Sequence, residues 1–334
     1  MKICLYSEFY KAFGGKDKIG GGLISAIENQ KKILNFLNIP FTEDYKDSWD
    51  VLQVNIPWPM SLHKAIKAKR DGKKVIMWSH VTVEDLEKSV KLFKIIPGMG
   101  YVIRKYLKYA YSIPNMVFCP TQYTKDVLIS YGLKHDTLFV QSNAVDINKF
   151  FKDIKSRDEY RAKYNLEGIV IGNMALVMYR KGIDTFIKLA EKFSQNKFIW
   201  FGKIFSKIFV QRISLNTPKN TNFTGFVDNA NSALNALDIF LFPSYEENQG
   251  MVILEAAAVG LPILIRNLPA YEGWMIHDAN CLKADSDEEF EKYLNLLISD
   301  TSLRERLGNE ALLLANRESI PILSEKLKLI YEKL

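Results

Sequence analysis

Two carboxylates near the end of the chain, Glu247 and Glu255, are separated by seven residues within the stretch EENQGMVILEAAAVGLP. A strand is predicted at 238–242, and Gly250 opens an apolar helix between the two acids. A helix that begins after a strand directs unpaired N–H groups and the positive end of its dipole toward an anion, typically a phosphate. Carboxylates accept hydrogen bonds from diols. The spacing therefore indicates a ligand with a diphosphate in the middle and hydroxyl-rich groups at both ends, such as a nucleotide sugar.

The simpler interpretation is that both glutamates face solvent and that Glu247 is only a partner of the helix dipole. The surrounding sequence argues against it, because 256–265 is typical of a closely packed helix, a Gly-Leu-Pro turn and a buried parallel strand. Glu255 lies in this apolar element, where a charge without a partner would be costly. We therefore expect both acids to bind a ligand.

Arg180 and Lys181 follow another predicted strand and precede Gly182 at the start of a helix. Two cations there would neutralise a diphosphate without a metal and stabilise it as a leaving group. A solvated basic pair is the competing interpretation. His80 ends the strand predicted at 75–79, at the edge where ligands of parallel sheets bind. A lone histidine is commonly structural, but this position favours a functional role.

A glycine-rich segment with Gly20, Gly21 and Gly22 lies between the first predicted strand and the first predicted helix. No Lys-Ser/Thr pair follows, so it is not a Walker loop, and Ser25 at the third glycine position weakens a dinucleotide fingerprint. We expect this loop to approach a ligand closely, although a merely flexible loop fits equally well. Asp285-Ser286-Asp287 resembles an acidic metal motif but is better explained as a helix N-cap, so no metal site is predicted.

Composition and length describe an ordinary α/β protein of two domains. The chain has 334 residues, with 48% hydrophobic and 25% charged residues. Its longest uncharged apolar run, 256–265, is too short to span a bilayer, and the first apolar strand is too short for a secretory signal. Cys4, Cys119 and Cys281 lie far apart in apolar surroundings, which favours reduced core residues. We expect a cytoplasmic protein.

Positive charge is concentrated in the first half. Residues 1–155 contain 24 Lys and Arg against 15 Asp and Glu, and 88–111 contains no acidic residue. The basic residues of that segment are Lys88, Lys91, Lys94, Arg104, Lys105 and Lys108. The bulky apolar stretch 91–98 is expected to be a loop that contacts an anionic bilayer, with an amphipathic helix at 99–111. No nucleic-acid-binding module is recognisable.

Short strands alternate with helical patterns along the chain, which predicts parallel sheets with helices on both faces. We expect two doubly wound, Rossmann-like domains that face each other across a cleft, 1–152 and 153–318. A final amphipathic helix at 319–334 is expected to pack back on the first domain.

The stretch PSYEENQGMVILEAAAVGLP resembles the donor-site signature of retaining glycosyltransferases of the GT-B fold, family 4. Four further segments resemble the family: Cys119-Pro120-Thr121, Ser142 to Asp146 with Phe150, Arg180-Lys181-Gly182 and Gly225-Phe226-Val227. There are two departures. Leu176 stands where the family often has arginine, and Gln249-Gly250 replaces its Phe-Gly.

The resemblance implies transfer of a sugar from a nucleotide donor with retention and without a metal. It assigns Glu255 to the ribose diol, Glu247 to the donor sugar, and Arg180 and Lys181 to the diphosphate. His80 matches the histidine beside the donor sugar, and the loop Gly20–Gly22 would approach the phosphates and the acceptor. The remaining donor-site positions implied are Asn248, Gln249, Gly250 and Met251.

Within the family, the basic first domain and the segments 80–85 and 270–274 resemble the bacterial glycolipid branch of diglucosyldiacylglycerol synthase type. That branch uses UDP-glucose to add a second hexose to monoglucosyldiacylglycerol, which implies an enzyme peripherally attached to the inner face of the cell membrane. Three alternatives stay open: a transferase acting on a soluble or polyprenyl-linked saccharide, a UDP-sugar epimerase, and a non-catalytic protein that binds membrane surfaces.

Overall fold

The computed structural model describes residues 1–8, 21–90, 92–204 and 217–332. The chain divides into two compact units. The first unit comprises Met1–Glu87, Leu92–Ala144 and Ile320–Leu334, and the second comprises Lys88–Lys91 and Val145–Ser319. The main division thus falls between Ala144 and Val145, before the expected boundary at 152, and the last helix belongs to the first unit.

The first unit contains one six-stranded parallel sheet. Its strands are β1 (Ile3–Tyr6), β2 (Phe41–Thr42), β3 (Val51–Val54), β4 (Lys74–Trp78), β5 (Met116–Cys119) and β6 (Leu138–Val140). They are arranged in the order β2-β1-β3-β4-β5-β6. The direction of the strand order reverses between β1 and β3, and ligands of doubly wound sheets bind beyond the carboxyl ends of strands at such a switch point.

Helices cover both faces of this sheet. They are α1 (Gly22–Phe36), α2 (Pro59–Arg70), α3 (Val83–Ser89), α4 (Leu92–Ile95), α5 (Met99–Ser112), α6 (Gln122–Ser130) and α13 (Ile320–Tyr331). The last of these, α13, contacts α1. Both helices contribute apolar side chains to one core cluster with strand residues such as Ile76 and Trp78.

The second unit also contains a six-stranded parallel sheet. Its strands are β7 (Val170–Met174), β8 (Lys197–Phe201), β9 (Thr221–Gly225), β10 (Ile239–Phe242), β11 (Ile263–Arg266) and β12 (Leu282–Ala284). They lie in the order β12-β11-β10-β7-β8-β9. Here the switch point is between β7 and β10, so the loops that follow these two strands are the expected position of a ligand.

The helices of the second unit are α7 (Ile154–Tyr164), α8 (Ile183–Lys192), α9 (Ala230–Asn235), α10 (Met251–Ala258), α11 (Asp287–Ser299) and α12 (Thr301–Arg317). The central strand β10 is buried along its whole length, as expected for a strand covered by helices on both faces. Cys4, Cys119 and Cys281 are all buried and free, which confirms that they are reduced core residues.

The structure corrects one prediction about the basic segment. The stretch 91–98 was expected to be a loop, but Leu92–Ile95 forms the short helix α4. A helix of four residues is too short to show a helical period, so the sequence pattern could not distinguish a helix from a loop. None of the described helices has the length and apolarity that crossing a bilayer requires.

Candidate active site

The loop after β7 lies against the end of β10 because one residue between them has no side chain. Gly182 has φ +76°, and a Cβ atom on it would collide with the carbonyl oxygen of Pro243. Only glycine tolerates both the left-handed backbone and this close approach. Arg180 and Lys181 immediately precede it in a 3₁₀ turn. Their side chains therefore start at the switch point of the second unit.

The first turn of α10 depends on a second left-handed glycine. Gly250 has φ +80° and is the N-cap of α10, and a Cβ there would lie 2.9 Å from Ile253 Cδ1. The turn places Glu247 before the helix and Glu255 within it, and both residues are buried. Gln249 and Met251 are also buried, whereas Asn248 is partly exposed.

The carboxylate of Glu247 is the centre of a compact charged cluster. Its Oε1 atom pairs with Lys181 Nζ, lies 3.5 Å from Arg180 Nη1, and accepts a hydrogen bond of 2.6 Å from Ser244 Oγ. Arg180 Nη1 also donates to the carbonyl oxygen of Glu246 at 2.7 Å. The three charged side chains are only 7–14% exposed. The structure thus brings together Glu247, Arg180 and Lys181, which the sequence placed in one site.

The cluster keeps Glu247 ionised. Burial alone raises the pKa of this carboxyl, but the charges of Lys181 and Arg180 and the hydrogen bonds from Lys181 and Ser244 outweigh it, so the pKa lies below its ordinary value. At neutral pH Glu247 is therefore an anion that accepts hydrogen bonds, and it does not donate a proton.

Two residues near Glu247 were not identified as site residues from the sequence. Ser244 fixes the carboxylate, and its hydroxyl also contacts the carbonyl oxygens of Arg180 and Glu246 at 3.1 Å. Tyr271 is fully buried, and among the described residues its hydroxyl has no hydrogen-bond partner. Burial, followed by the charge of Glu247, raises its pKa. The only sequence signal for Tyr271 was its place in the 270–274 segment.

The other active-site residues predicted from the sequence lie in the first unit. His80 follows β4, and its Nε2 atom is 3.2 Å from Asn55 Oδ1. Its ring is stacked on Trp78, with 5.8 Å between the ring centroids. Burial lowers the pKa of His80 to about 4, so the imidazole is neutral at pH 7.

Gly21 and Gly22 are exposed at the start of α1, where Gly21 is the N-cap. Gly20, the third glycine of this predicted loop, lies outside the described residues. Gly21 and Gly22 therefore lie at the start of the helix that follows β1, and β1 is one of the two strands between which the strand order of the first unit reverses.

The basic segment presents more apolar surface than its pattern indicated. On α5, Leu107 and Ala110 are buried in the core, but Tyr101, Val102 and Tyr109 are 55–63% exposed. Ile95 and Ile96, which precede this helix, are exposed as well. Apolar side chains that the packing does not use thus lie along one continuous segment.

The cations of that segment differ in their surroundings. Arg104 lies 3.5 Å from Glu84, Lys105 lies over the ring of Tyr101, and Lys108 is exposed. Lys88 is grouped with the second unit, where Nζ donates to the carbonyl of Tyr245 at 3.0 Å and pairs with Glu246. Lys91 lies outside the described residues, as does the side chain of Lys94.

Across residues 1–8, 21–90, 92–204 and 217–332, no group of three or more His, Cys, Asp or Glu side chains is arranged to hold a metal ion. The acidic segment 285–287 caps a helix, as predicted. Ser286 is the N-cap of α11, and its hydroxyl accepts from the backbone N–H of Glu289.

Comparison with known proteins gives consistent matches. Residues 156–313 match the family model for glycosyl transferases group 1. The processive diacylglycerol alpha-glucosyltransferase of Acholeplasma laidlawii is 32% identical over 341 residues, covering 100% of this chain and 98% of that protein. The alpha-galactosylglucosyldiacylglycerol synthase of Streptococcus pneumoniae is 30% identical over 233 residues, covering 66% of this chain and 60% of that protein.

Among solved structures, HepE of Anabaena in complex with UDP-glucose superposes with a TM-score of 0.79 at 16% identity, over 100% of both chains. At this level of identity the match shows that the two proteins share a fold.

Proposed function

Because the chain belongs to the family of group 1 glycosyl transferases, we propose that it transfers glucose from UDP-glucose to a membrane glycolipid such as monoglucosyldiacylglycerol, with retention at the anomeric carbon. The protein has the GT-B fold predicted from its sequence. The observation that carries the proposal is the buried cluster of Glu247, Arg180 and Lys181 at the switch point of the second unit.

In this proposal the two cations bind the diphosphate. Arg180 and Lys181 extend from the loop after β7, where the order of the parallel strands reverses. Diphosphate is a strong acceptor for charge-assisted hydrogen bonds. As the bond from the sugar to the diphosphate breaks, negative charge accumulates on the leaving oxygen, and two fixed cations stabilise that charge. Because the cations supply this stabilisation, the chemistry requires no metal ion.

Glu247 holds the donor sugar rather than moving a proton. Its lowered pKa keeps it anionic, and an anionic carboxylate accepts hydrogen bonds from sugar hydroxyls. Glu255, buried on α10, binds the ribose diol in the same way. The acceptor hydroxyl then attacks the face from which the diphosphate departs, and the departing oxygen takes up its proton.

The names of two relatives support the proposed stereochemistry and acceptor. The Acholeplasma relative is named as an alpha-glucosyltransferase of diacylglycerol, and UDP-glucose carries its glucose in an α linkage. An α-linked product from an α-linked donor requires retention. The same name, together with that of the Streptococcus synthase, supports a diacylglycerol glycolipid as the acceptor of this chain.

The surface of the first unit fits a membrane-bound acceptor. Tyr101, Val102 and Tyr109 project from α5 into solvent beside Lys105 and Lys108. Apolar side chains flanked by cations suit the interface of an anionic bilayer, where each lysine contributes about 1 kcal/mol. We propose that this segment attaches the protein peripherally to the cytoplasmic leaflet.

The transfer reaction is tested with labelled UDP-glucose and UDP-galactose over vesicles with and without monoglucosyldiacylglycerol and anionic lipid. The expected result is label in a diglycosyldiacylglycerol only when the glycolipid is present, unchanged by EDTA. Transfer to soluble or polyprenyl-linked saccharides without lipid would show that the acceptor is a saccharide of the capsule type and not a glycolipid. Interconversion of the two nucleotide sugars without an acceptor would indicate an epimerase, and no turnover at all would favour a binding protein.

The membrane contact is tested separately by vesicle flotation. The double variant Val102→Ser/Tyr109→Ser is expected to bind anionic vesicles at least about tenfold more weakly, because it removes two apolar side chains from the interface. The double variant Ile154→Ser/Leu313→Ser is the matched control, since those residues are similarly exposed but lie in the second unit. Equal binding by both variants would contradict the assignment of the surface.

A further inference from the structure

A chain of buried polar side chains runs through the first unit and ends at His80. Tyr331 on α13 donates its hydroxyl to Gln53 Oε1 at 3.1 Å. Gln53 Nε2 donates to Gln30 Oε1 at 2.8 Å, and Gln30 Nε2 donates to Asn55 Oδ1 at 2.7 Å. The same Asn55 oxygen lies 3.2 Å from His80 Nε2.

These residues are far apart in sequence and come from different elements. Gln30 lies on α1, Gln53 on β3, and Tyr331 is the last residue of α13. Asn55 directly follows β3, at the carboxyl edge of the strand beside the switch point. The fold therefore connects the outer helix α13 with the ligand-binding edge of the sheet through side chains alone.

The core gains no obvious packing advantage from this arrangement. Gln30, Gln53, Asn55 and Tyr331 are 0–4% exposed. Tyr331 belongs to an apolar core cluster that includes Ile76 and Trp78, and Gln53 lies opposite Ile76 in the sheet. Buried amides are tolerated only when they are hydrogen-bonded, and apolar residues of similar size would fill the space without that requirement. A fully connected polar network rigidifies the groups it contains. His80 lies at the end of this network, so the network can restrict the orientation of its ring.

The network determines which nitrogen of His80 carries the proton. Asn55 Oδ1 has lone pairs only, so it accepts from Gln30 Nε2 and can bond to His80 Nε2 only if that nitrogen is protonated. The imidazole is neutral at pH 7, which leaves Nδ1 unprotonated. The stack on Trp78 at an interplanar angle of 7° fixes the plane of the ring.

We propose that Asn55, Gln30, Gln53 and Tyr331 are positioning residues that fix His80 in the Nε2–H tautomer and in one ring orientation for the transfer reaction. The inference rests on the proposed function for the contact of His80 with the donor sugar. The tautomer itself is a property of the first unit and can be measured without any transfer.

The tautomer is measured by NMR of the full chain labelled with ¹⁵N-histidine. The chain has four histidines, and His80→Asn identifies the signal of His80. In the wild-type protein at pH 7 the expected signal is one neutral ring with Nε2 protonated. Asn55→Asp places a carboxylate at the same position and should make both ring nitrogens protonated at pH 7. Asn55→Leu removes the acceptor and should give a mixture of tautomers.

The contribution of Tyr331 on α13 to the network is tested by measuring kcat and KM for the transfer reaction. Tyr331→Phe is expected to lower kcat for transfer about fivefold, the equivalent of about 1 kcal/mol, with KM for UDP-glucose unchanged. Tyr131→Phe is the matched control. Tyr131 is equally buried in the same unit, but its hydroxyl bonds Glu84 and Val83 and not the network. The control should lower the melting temperature without lowering kcat.

If His80 of the wild-type protein is protonated on Nδ1, the proposed role of the network is refuted. It is also refuted if neither Asn55 variant changes the protonation of the His80 ring. Equal kcat values for Tyr331→Phe and Tyr131→Phe would overturn the role of α13. A wild-type protein that shows the expected tautomer but transfers no sugar would refute the proposed function and leave the hydrogen-bond chain established.

Discussion

Replacing Glu247 by glutamine exchanges a carboxylate for an amide of nearly the same size. The substitution separates the contribution of the negative charge to stability from its contribution to ligand binding and transfer. The variant keeps an oxygen that accepts from Ser244 but loses the negative charge that pairs with Lys181 and Arg180. Removing one member of a buried ion pair costs about 3–5 kcal/mol. Because the amide oxygen retains one hydrogen bond, we expect the variant to lose about 2 kcal/mol of unfolding free energy. This loss corresponds to a decrease of about 4–8 °C in Tm.

The same substitution should affect ligand binding and catalysis in opposite directions. In the wild-type protein Glu247 pairs with both cations, and its charge repels a diphosphate. Without that charge, Arg180 and Lys181 are available to UDP, so the Kd for UDP should fall about fivefold to tenfold. Transfer of glucose should nevertheless fall by a factor of about 10²–10³, because the donor sugar loses a preorganised contact.

Calorimetric titration with UDP, thermal unfolding and the vesicle transfer assay measure the three effects. Glu246→Gln is the matched control, because Glu246 is the adjacent carboxylate, is 12% exposed and pairs with Lys88. It removes an equal charge from a carboxylate that pairs with Lys88 and leaves the carboxylate of Glu247 in place. Weaker binding of UDP by Glu247→Gln, or transfer at the wild-type rate, would refute the assignment of roles within the cluster.

Three further predictions concern the same elements. Lys181→Ala should lower turnover by a factor of about 10²–10³ while the fold is retained, and an unchanged rate in the transfer assay would remove Lys181 from the mechanism. Gly182→Ala should lower the free energy of unfolding in urea by about 2–4 kcal/mol, because the new Cβ atom collides with Pro243. Gly168→Ala is the control: it has the same left-handed backbone strain in open space and should cost only about 1–2 kcal/mol. Equal losses for the two variants would contradict the close approach of Gly182 to Pro243. The free energy of unfolding should fall as the pH decreases from about 6.5 to about 4, because the unfolded chain binds a proton at His80 in this range and the folded chain does not. Identical pH profiles of stability for the wild type and His80→Gln would contradict this prediction.

The architecture could be predicted from the sequence because most strands are buried on both faces and therefore appear as continuous apolar runs. The strands predicted at 75–79 and 238–242 match β4 and β10 to within one residue at each end. The strands β2 and β12 were missed, since two and three residues are too few to show a pattern. Helix α7 was missed because none of its residues is buried, so its sequence has no apolar period.

The site could be predicted only where its residues are close in sequence or follow strand ends. Glu247 and the two cations satisfy that condition. Ser244 also follows β10, but its contact with the carboxylate, like the position of Tyr271 near Glu247, depends on how the loops after β10 and β11 fold. The network that ends at His80 joins Gln30 to Tyr331 through tertiary structure, and no local pattern reports such contacts.

A crystal structure of the protein with UDP-glucose tests the central claim most directly. It should show the diphosphate within hydrogen-bonding distance of Arg180 Nη1 and Lys181 Nζ, and a glucose hydroxyl donating to the carboxylate of Glu247. UDP-glucose bound away from the ends of β7 and β10, with both cations still paired to Glu247, would contradict the account.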